Sequence, residues 1–294
     1  MQNDISLYKA FLEKEKLPLS YLSSAQKWFK PIIENITSHQ NRAKHPLFIG
    51  INGCQGSGKS TLSAFLKFCL QQFHQQSVVV LSLDDFYLSK AERLLRSNTI
   101  HPLLKTRGVP GTHDTQLLSK VLTALANNEK VQLPRFDKSI DDQVAASDWK
   151  WSTSIVDTVI IEGWCWGTPA QNDDEIAMPI NKLEEEQDKN AIWRRYVNQS
   201  LSTDYMPLYQ FMHQWVFLRA PSFDSVYSWR CEQEHKLIQR NGATSATMTD
   251  QEIYAFIQYY QRLTEQSLCT LEQKCNWVFN LDNERNIIKS QYNA

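Results

Sequence analysis

The sequence lacks long apolar segments and has no apolar core near its N-terminus. No stretch approaches the about eighteen uninterrupted apolar residues that a membrane-spanning helix needs. The first residues, MQNDISLYKAFLEKEK, are polar and contain no hydrophobic region of the kind found in signal peptides. We therefore expect a soluble, cytoplasmic protein.

Paired cysteines and an excess of one charge are also missing. The six cysteines are scattered and none forms a C-x-x-C pair, so the sequence suggests neither a zinc site nor a disulfide framework. This usage is typical of free thiols in a reducing compartment. Lys and Arg number 31 and Asp and Glu number 32, so the chain has no electrostatic footprint for nucleic acid or for a membrane surface. We expect its ligands to be small molecules.

Short apolar runs alternate with helical patterns from residue 46 onward. Such alternation predicts an α/β fold with a doubly wound, mostly parallel sheet that helices cover on both faces. The predicted strands are 47–51, 78–83, 158–163, 215–220 and, as the last one, 276–281. The predicted helices follow the Gly-rich segment from residue 59 to about 73 and then occupy about 115–127, 191–201, 222–240 and 250–273.

Two segments differ from this alternation. Residues 1–45 have apolar residues at helical spacing and predict a helical extension packed on the main domain, which spans 46–294; a separate partner-binding module is the alternative. Residues 168–190 are acidic and polar, and we expect them to form a solvated insertion.

A phosphate-binding loop is the strongest motif in the chain. Gly53 to Ser60 read G-x-x-x-x-G-K-S between a predicted strand and a predicted helix. Gly53 and Gly58 permit a tight turn whose N–H groups point at phosphate oxygens, and the helix that follows adds its positive N-terminal end. Lys59 supplies a cation for the β- and γ-phosphates, and the Ser60 hydroxyl is a Mg²⁺ ligand. The predicted nucleotide-binding residues are Gly53, Gln55, Gly56, Ser57, Gly58, Lys59, Ser60 and Thr61.

Two carboxylates stand at the ends of other predicted strands. Asp84 follows the second strand, which we place beside the P-loop strand, and there a carboxylate can accept the proton of an acceptor hydroxyl. Asp84 could instead be a helix N-cap, and Asp85 is the other candidate for either role. Glu162 ends the third strand after apolar residues, as a Walker-B carboxylate does, and is a predicted Mg²⁺ ligand. Its alternative is an ion pair with a neighbouring basic residue.

Five segments together resemble one enzyme family. The P-loop, the D-D-F-Y segment at 84–87 and the E-G pair at 162–163 are similar to the superfamily of uridine kinase, phosphoribulokinase and pantothenate kinase. The segments R-G-V-P-G-T-H-D (107–114) and P-R-F-D-K-S (134–139) narrow the resemblance to D-glycerate 3-kinase-like proteins. The resemblance covers roughly residues 46–281. It implies a P-loop kinase domain that uses Mg²⁺ and ATP to convert D-glycerate into 3-phosphoglycerate and ADP.

The resemblance also indicates where the acceptor binds. A glycerate carboxylate needs cations, and Arg offers a bidentate fork for it, so Arg107 and Arg135 are the first candidates. His113, Asp137 and Lys138 complete the predicted substrate residues, and Asp114, like Asp137, could bind hydroxyls or orient the arginines. The alternative for each is an ordinary surface residue or ion pair.

Kinases of this superfamily close a helical lid over the phosphates, which excludes water as a competing acceptor. The predicted lid spans 221–241, with Arg230 as the residue that contacts the transferring phosphate. Lys236 and Arg240 are alternates, and the pair Arg194–Arg195 is a rival that faces substrate or solvent. Two other functions stay open, namely a kinase of the same fold with another acceptor and a nucleotide-dependent regulatory ATPase.

Overall fold

The computed structural model of the chain describes residues 2–40, 45–241 and 247–293. Its helices are α1 (Gln2–Glu15), α2 (Ser20–Gln40), α3 (Lys59–His74), α4 (Lys90–Thr99), α5 (Thr115–Ala126), α6 (Asp173–Ala177), α7 (Lys182–Gln187), α8 (Ile192–Ser200), α9 (Phe223–Asn241) and α10 (Asp250–Thr270). Its strands are β1 (Leu47–Gly53), β2 (Val78–Ser82), β3 (Gln132–Leu133), β4 (Phe136–Asp137), β5 (Asp142–Gln143), β6 (Lys150–Trp151), β7 (Thr158–Gly163), β8 (Gln214–Arg219), β9 (Trp277–Leu281) and β10 (Ile287–Tyr292). Tighter 3-10 turns span Leu83–Phe86, Pro102–Lys105, Ala146–Asp148 and Met206–Phe211, and a π-turn spans Leu201–Tyr205.

Six strands form the central sheet in the order β10-β9-β8-β1-β7-β2. Five of them are parallel and only β10 is antiparallel, so the predicted doubly wound, mostly parallel α/β fold is confirmed. Two details of the prediction were wrong. The run at 276–281 is not the last strand, because β10 follows it. The second strand is not beside the P-loop strand, because β7 pairs with both β1 and β2 and lies between them.

Alternation along the strands divides the core into two layers. Successive strand side chains point to opposite faces, and Phe48 accordingly joins a cluster with residues of α5, α8 and α10. Its neighbour Ile49 joins the other cluster, which contains residues of α1, α2 and α3. Both faces of the parallel strands are therefore covered, which explains their continuous apolar sequences.

The N-terminal helices pack on the second of these layers. Phe11 of α1 stacks on Phe68 of α3 with ring centroids 4.8 Å apart. Phe29 of α2 meets Phe279 of β9 edge to face at 5.4 Å. These contacts bring the turn between α1 and α2 to the same side of the sheet as the start of α3. Across the described ranges, no helix is long and apolar enough to cross a bilayer.

Most residues of the acidic segment 168–190 are exposed, but two of its carboxylates are not. Glu184 and Asp188 are buried, and each is neutralised by a buried arginine from a neighbouring helix. Arg262 of α10 reaches Glu184 with Nη2–Oε2 at 2.6 Å, and Arg194 of α8 reaches Asp188 with Nη1–Oδ2 at 3.0 Å. Arg194 consequently faces neither substrate nor solvent. Composition alone does not indicate these two buried ion pairs, because the arginines lie elsewhere in the sequence.

Candidate active site

The P-loop connects β1 to α3 at the carboxyl end of the parallel strands. Gly58 precedes the first turn of α3 with φ +91°, and Gly56 has φ +80°, both in the left-handed region that favours glycine. A Cβ on Gly56 would lie 2.9 Å from Cβ of Trp229, and one on Gly53 would lie 2.5 Å from Oγ of Ser57. The loop therefore needs glycine at Gly56 as well as at the two positions that the motif pattern singles out.

Glu162 joins the P-loop to the neighbouring strand β7. The Ser60 hydroxyl donates to Glu162 Oε1 at 2.9 Å, and Lys59 Nζ lies 3.9 Å from Oε2. Glu162 is buried, and its Oε2 accepts no hydrogen bond from the part of the chain that the structure describes. A hydroxyl and a carboxylate are the hard oxygen ligands that Mg²⁺ prefers, so this pair fits a magnesium ion beside bound phosphates.

Asp84 lies in the 3-10 turn that follows β2, on the same edge of the sheet. Tyr87 Oη donates to its Oδ1 at 2.8 Å, and Lys138 Nζ donates to its Oδ2 at 2.6 Å. Burial opposes ionisation of this carboxyl, but the charges of Lys138 and Lys59 and the two hydrogen bonds outweigh it and hold the pKa of Asp84 at about 2. Asp84 is therefore an ionised carboxylate whose oxygens are both engaged.

Aromatic residues support Asp84 from behind. The His113 ring stacks on Tyr87 at 4.5 Å, and its Nδ1 lies 2.6 Å from Tyr205 Oη. Burial lowers the pKa of His113 to about 3, so the imidazole is neutral. Burial, and then the negative charge of Asp84, raises the pKa of Tyr87, so its hydroxyl keeps the proton that it donates. His113 is only 2% exposed and stands behind Tyr87, not on the open side of the site.

A small hairpin, formed by β4, β5 and the turn between them, lies over the end of β2. Asp85 anchors it by accepting from Arg135 Nη1 and from the backbone N–H of Phe136, both at 3.3 Å. Asp137 fixes the turn, since its Oδ1 accepts from the N–H of Ser139 at 2.8 Å and from the Ser139 hydroxyl. The Arg135 side chain is 65% exposed and that of Lys138 is 60% exposed, so the hairpin presents both cations to solvent next to Asp84.

Arg107 holds the far end of the same hairpin. Its guanidinium donates to Asp141 and lies 5.5 Å from the Phe136 ring centroid. The buried Arg93 binds the same carboxylate, with Nη2 3.0 Å from Asp141 Oδ2. Asp114, the last residue of the R-G-V-P-G-T-H-D segment, caps α5 by accepting from the N–H of Leu117 at 2.8 Å. Asp114 is thus a helix cap.

Helix α9 follows β8 and rests on the P-loop through Trp229. Arg230 Nη2 binds Glu234 Oε2 at 2.8 Å, one helical turn further along. Lys236 pairs with Glu232 on the nucleotide side. The side chain of Arg240 lies outside the described part of the structure.

A cavity of about 750 Å³ opens from the P-loop away from Asp84. Its floor is the loop and the first turn of α3, and α9 contributes Glu232, Gln233 and Lys236. Its remaining walls are the α1–α2 turn, with Leu17 and Pro18, and the β9–β10 turn from 281 to 287. The volume lies in the range of small-molecule sites.

Comparison with known proteins identifies the family. A model described as the KAP family P-loop domain matches residues 29–192, more than half of the chain. An uncharacterized kinase of Schizosaccharomyces pombe, mug58, is 36% identical over 238 residues, which cover 78% of this chain and 83% of the relative. The chain belongs to the P-loop kinases.

A chloroplastic D-glycerate 3-kinase of Arabidopsis thaliana is 27% identical to this kinase over 269 residues, or 85% of this chain and 56% of the relative. The structure of D-glycerate 3-kinase from Cryptococcus neoformans superposes with a TM-score of 0.75 at 25% identity and covers 89% of this chain and 96% of that one. The resemblance stated from the motifs is therefore confirmed.

The kinase brings most of the predicted site residues to one edge of the sheet. The P-loop residues, Glu162, Asp84 and Lys138 meet there, and their roles in catalysis stay predictions. His113 lies behind this edge, and Arg107 is engaged with Asp141. Sequence reasoning missed Tyr87, although it belongs to the D-D-F-Y segment. It also overlooked the α1–α2 turn, which lines the cavity, because nothing in the sequence relates that turn to the P-loop.

Proposed function

We propose that this kinase transfers the γ-phosphate of Mg·ATP to a hydroxyl of a small carboxylic acid, with D-glycerate as the first candidate and 3-phosphoglycerate as its product. The observation that supports this most directly is the ionised Asp84, flanked by the exposed cations Lys138 and Arg135, on the sheet edge that holds the P-loop. The names of the relatives support the same acceptor. The scattered free thiols are consistent with a cytoplasmic location.

On the donor side, the chain holds and neutralises the phosphates. The amides of the P-loop and Lys59 bind them, and the Ser57 hydroxyl, which is buried without a partner among the described residues, is a further donor for a phosphate oxygen. Ser60 and Glu162 would hold Mg²⁺, which neutralises phosphate charge when bound. Arg230 leaves Glu234 to meet the transferring phosphate, with Lys236 as its alternate.

On the acceptor side, Asp84 binds the attacking hydroxyl and accepts its proton. Lys138 and Arg135 each donate one hydrogen bond to an aspartate in this structure, so their other N–H groups remain for the substrate carboxylate. Arg107 and Asp137 act by holding the hairpin that carries these two cations. Because little covalent chemistry falls to the protein, its contribution is positioning and charge stabilisation.

The test is a coupled assay of ADP release with Mg·ATP and a panel of D-glycerate, L-glycerate, pantothenate and uridine. We expect turnover with D-glycerate. Asp84→Asn should lower turnover at least about a hundredfold and leave ATP binding nearly intact. The control is Asp148→Asn, which changes an exposed carboxylate outside the site and should leave turnover unchanged.

Each other outcome points to one of the alternatives. Turnover only with pantothenate or uridine would keep the mechanism and replace the acceptor. ADP release that ignores every acceptor would favour a regulatory ATPase and contradict the proposal. Unchanged turnover in Asp84→Asn would remove Asp84 from the chemistry.

A further inference from the structure

The turn between α1 and α2 lies against the nucleotide side of the active site. Leu17, Pro18, Ser20, Tyr21 and Ser24 line the cavity that begins at the P-loop. The acceptor-side residues do not: within the described ranges, neither Asp84 nor the β4–β5 hairpin lines this cavity. The cavity therefore adjoins the place where the P-loop would hold phosphates, and the inference rests on the proposed use of a nucleoside triphosphate.

The turn is preformed in the protein. Lys16 adopts φ +56° and ends α1, and the N–H of Leu17 returns to the carbonyl of Leu12 at 2.8 Å. The N–H of Tyr21 donates to the carbonyl of Pro18 at 3.0 Å and starts the next helix. The Tyr21 ring then packs edge to face on Phe65 of α3, at 6.0 Å. These contacts fix the turn relative to the helix that begins at Lys59.

Hydrogen bonds also shape the opposite wall of the cavity. Asp282 builds the β9–β10 turn by accepting from the N–H groups of Glu284 and Asn286, at 2.9 and 2.8 Å. The carbonyl of Asn283 accepts from Trp229 Nε1 at 2.6 Å, which ties this turn to α9 and, through Trp229, to Gly56 of the P-loop. Two fixed turns thus face the space beyond the phosphates.

The chemistry of the two walls suits a flat heteroaromatic group with polar edges. Leu17 and Pro18 from one turn, and Leu281 and Ile287 from the other, supply apolar surface. Serine, asparagine and glutamate side chains from the same turns supply donors and acceptors around it. We propose that the α1–α2 turn forms one wall of the subsite for the purine base of the nucleotide. The N-terminal helices are then part of the active site and do not merely pack on the domain.

The first experiment compares two leucines of the same turn by calorimetry. Leu17 lines the cavity, whereas Leu19 is 72% exposed and does not. Leu17→Ala should weaken Mg·ATP binding about tenfold, because it removes apolar contact with the base, and should leave the binding of magnesium tripolyphosphate unchanged. Leu19→Ala should alter neither. Equal ATP affinities of the two variants, or parallel losses for ATP and tripolyphosphate in Leu17→Ala, would overturn the inference.

A second experiment uses the unmodified protein and does not depend on a variant folding. Photolysis with 8-azido-ATP, followed by peptide mapping, should label the segment 17–24, and excess ATP should suppress the label. Labelling that is confined to other segments would refute the proposed wall. A protein that binds neither ATP nor the azide would instead contradict the proposed function, so the two failures are distinguishable.

Discussion

Neutralising Glu184 is expected to be one of the most destabilising single changes in this kinase. Its carboxylate is fully buried and is held by Arg262 through two bonds, Nε–Oε1 at 2.8 Å and Nη2–Oε2 at 2.6 Å. The same guanidinium donates to the carbonyls of Glu175 and Met178 at 2.9 and 2.7 Å. One side chain of α10 therefore fastens the whole segment that contains α6 and α7.

The expected loss follows from what remains after Glu184→Gln. The guanidinium of Arg262 stays buried and charged, and the carbonyls that still contact it carry only partial charges. Breaking a buried ion pair by removing one partner costs about 3–5 kcal/mol. We take about 3 kcal/mol, because those carbonyls retain part of the stabilisation. With a urea m-value of about 3 kcal/mol/M, the unfolding midpoint falls by about 1 M.

Urea unfolding followed by circular dichroism measures this shift. The matched control is Glu34→Gln, which breaks the exposed pair of Lys30 and Glu34, whose side chains are 71% and 63% exposed. Exposed pairs of this type contribute less than about 0.5 kcal/mol, so that midpoint should hardly move. Replacing both buried partners, as Glu184→Leu with Arg262→Met, should recover part of the stability. If Glu184→Gln unfolds at the same midpoint as the control variant, the buried pair does not fasten the segment and our reasoning is wrong.

Two further predictions concern the acceptor side. Lys138→Ala removes the charge that contributes most to lowering the pKa of Asp84, so burial should raise that pKa above about 2. As the pH is lowered, the kcat/KM of the variant should therefore begin to fall at a higher pH than the kcat/KM of the unmodified kinase. Acid limbs that coincide in pH–rate profiles of the two proteins would contradict this. Asp85→Ala removes the acceptor of the Phe136 N–H and should raise KM for the acceptor several-fold while KM for ATP stays constant, as initial-rate kinetics with each substrate varied can test. Equal increases in both KM values would show that Asp85 does not act through the hairpin.

The sheet could be predicted from the sequence because its parallel strands are buried on both faces. Their continuous apolar runs indicate strands clearly, and all five predicted strands lie within one or two residues of β1, β2, β7, β8 and β9. Strand β10 was missed because IIKSQY is a half-exposed edge strand without a continuous run. The two-residue strands β3, β4, β5 and β6 are too short to show a sequence period. Helix α4 was also overlooked, although Ser89 and Glu92 form a capping box that could have indicated it.

The site could be predicted where its residues follow strand ends and not where distant segments meet. Asp84 and Glu162 follow directly from that rule. The support behind Asp84 does not, since Tyr205 lies 92 residues beyond His113 in the chain. The burial of Glu184 could not be predicted for the same reason, because its partner Arg262 is 78 residues away in the chain. Burial and pairing of this kind depend on tertiary contacts that no local pattern records.

The position of β7 between β1 and β2 sets the distance between the strands that lead to the P-loop and to Asp84. Neighbouring strands lie about 4.8 Å apart, so the strands that lead to Lys59 and Asp84 are separated by about 10 Å. In the proposed reaction, this distance leaves room for one phosphoryl group between the leaving oxygen and the attacking oxygen. Glu162, at the end of the intervening strand, lies between the two. In the proposed reaction, the spacing of the strands thus sets the distance between phosphate donor and acceptor, and inserting or removing one strand would leave the two too far apart or too close for in-line transfer.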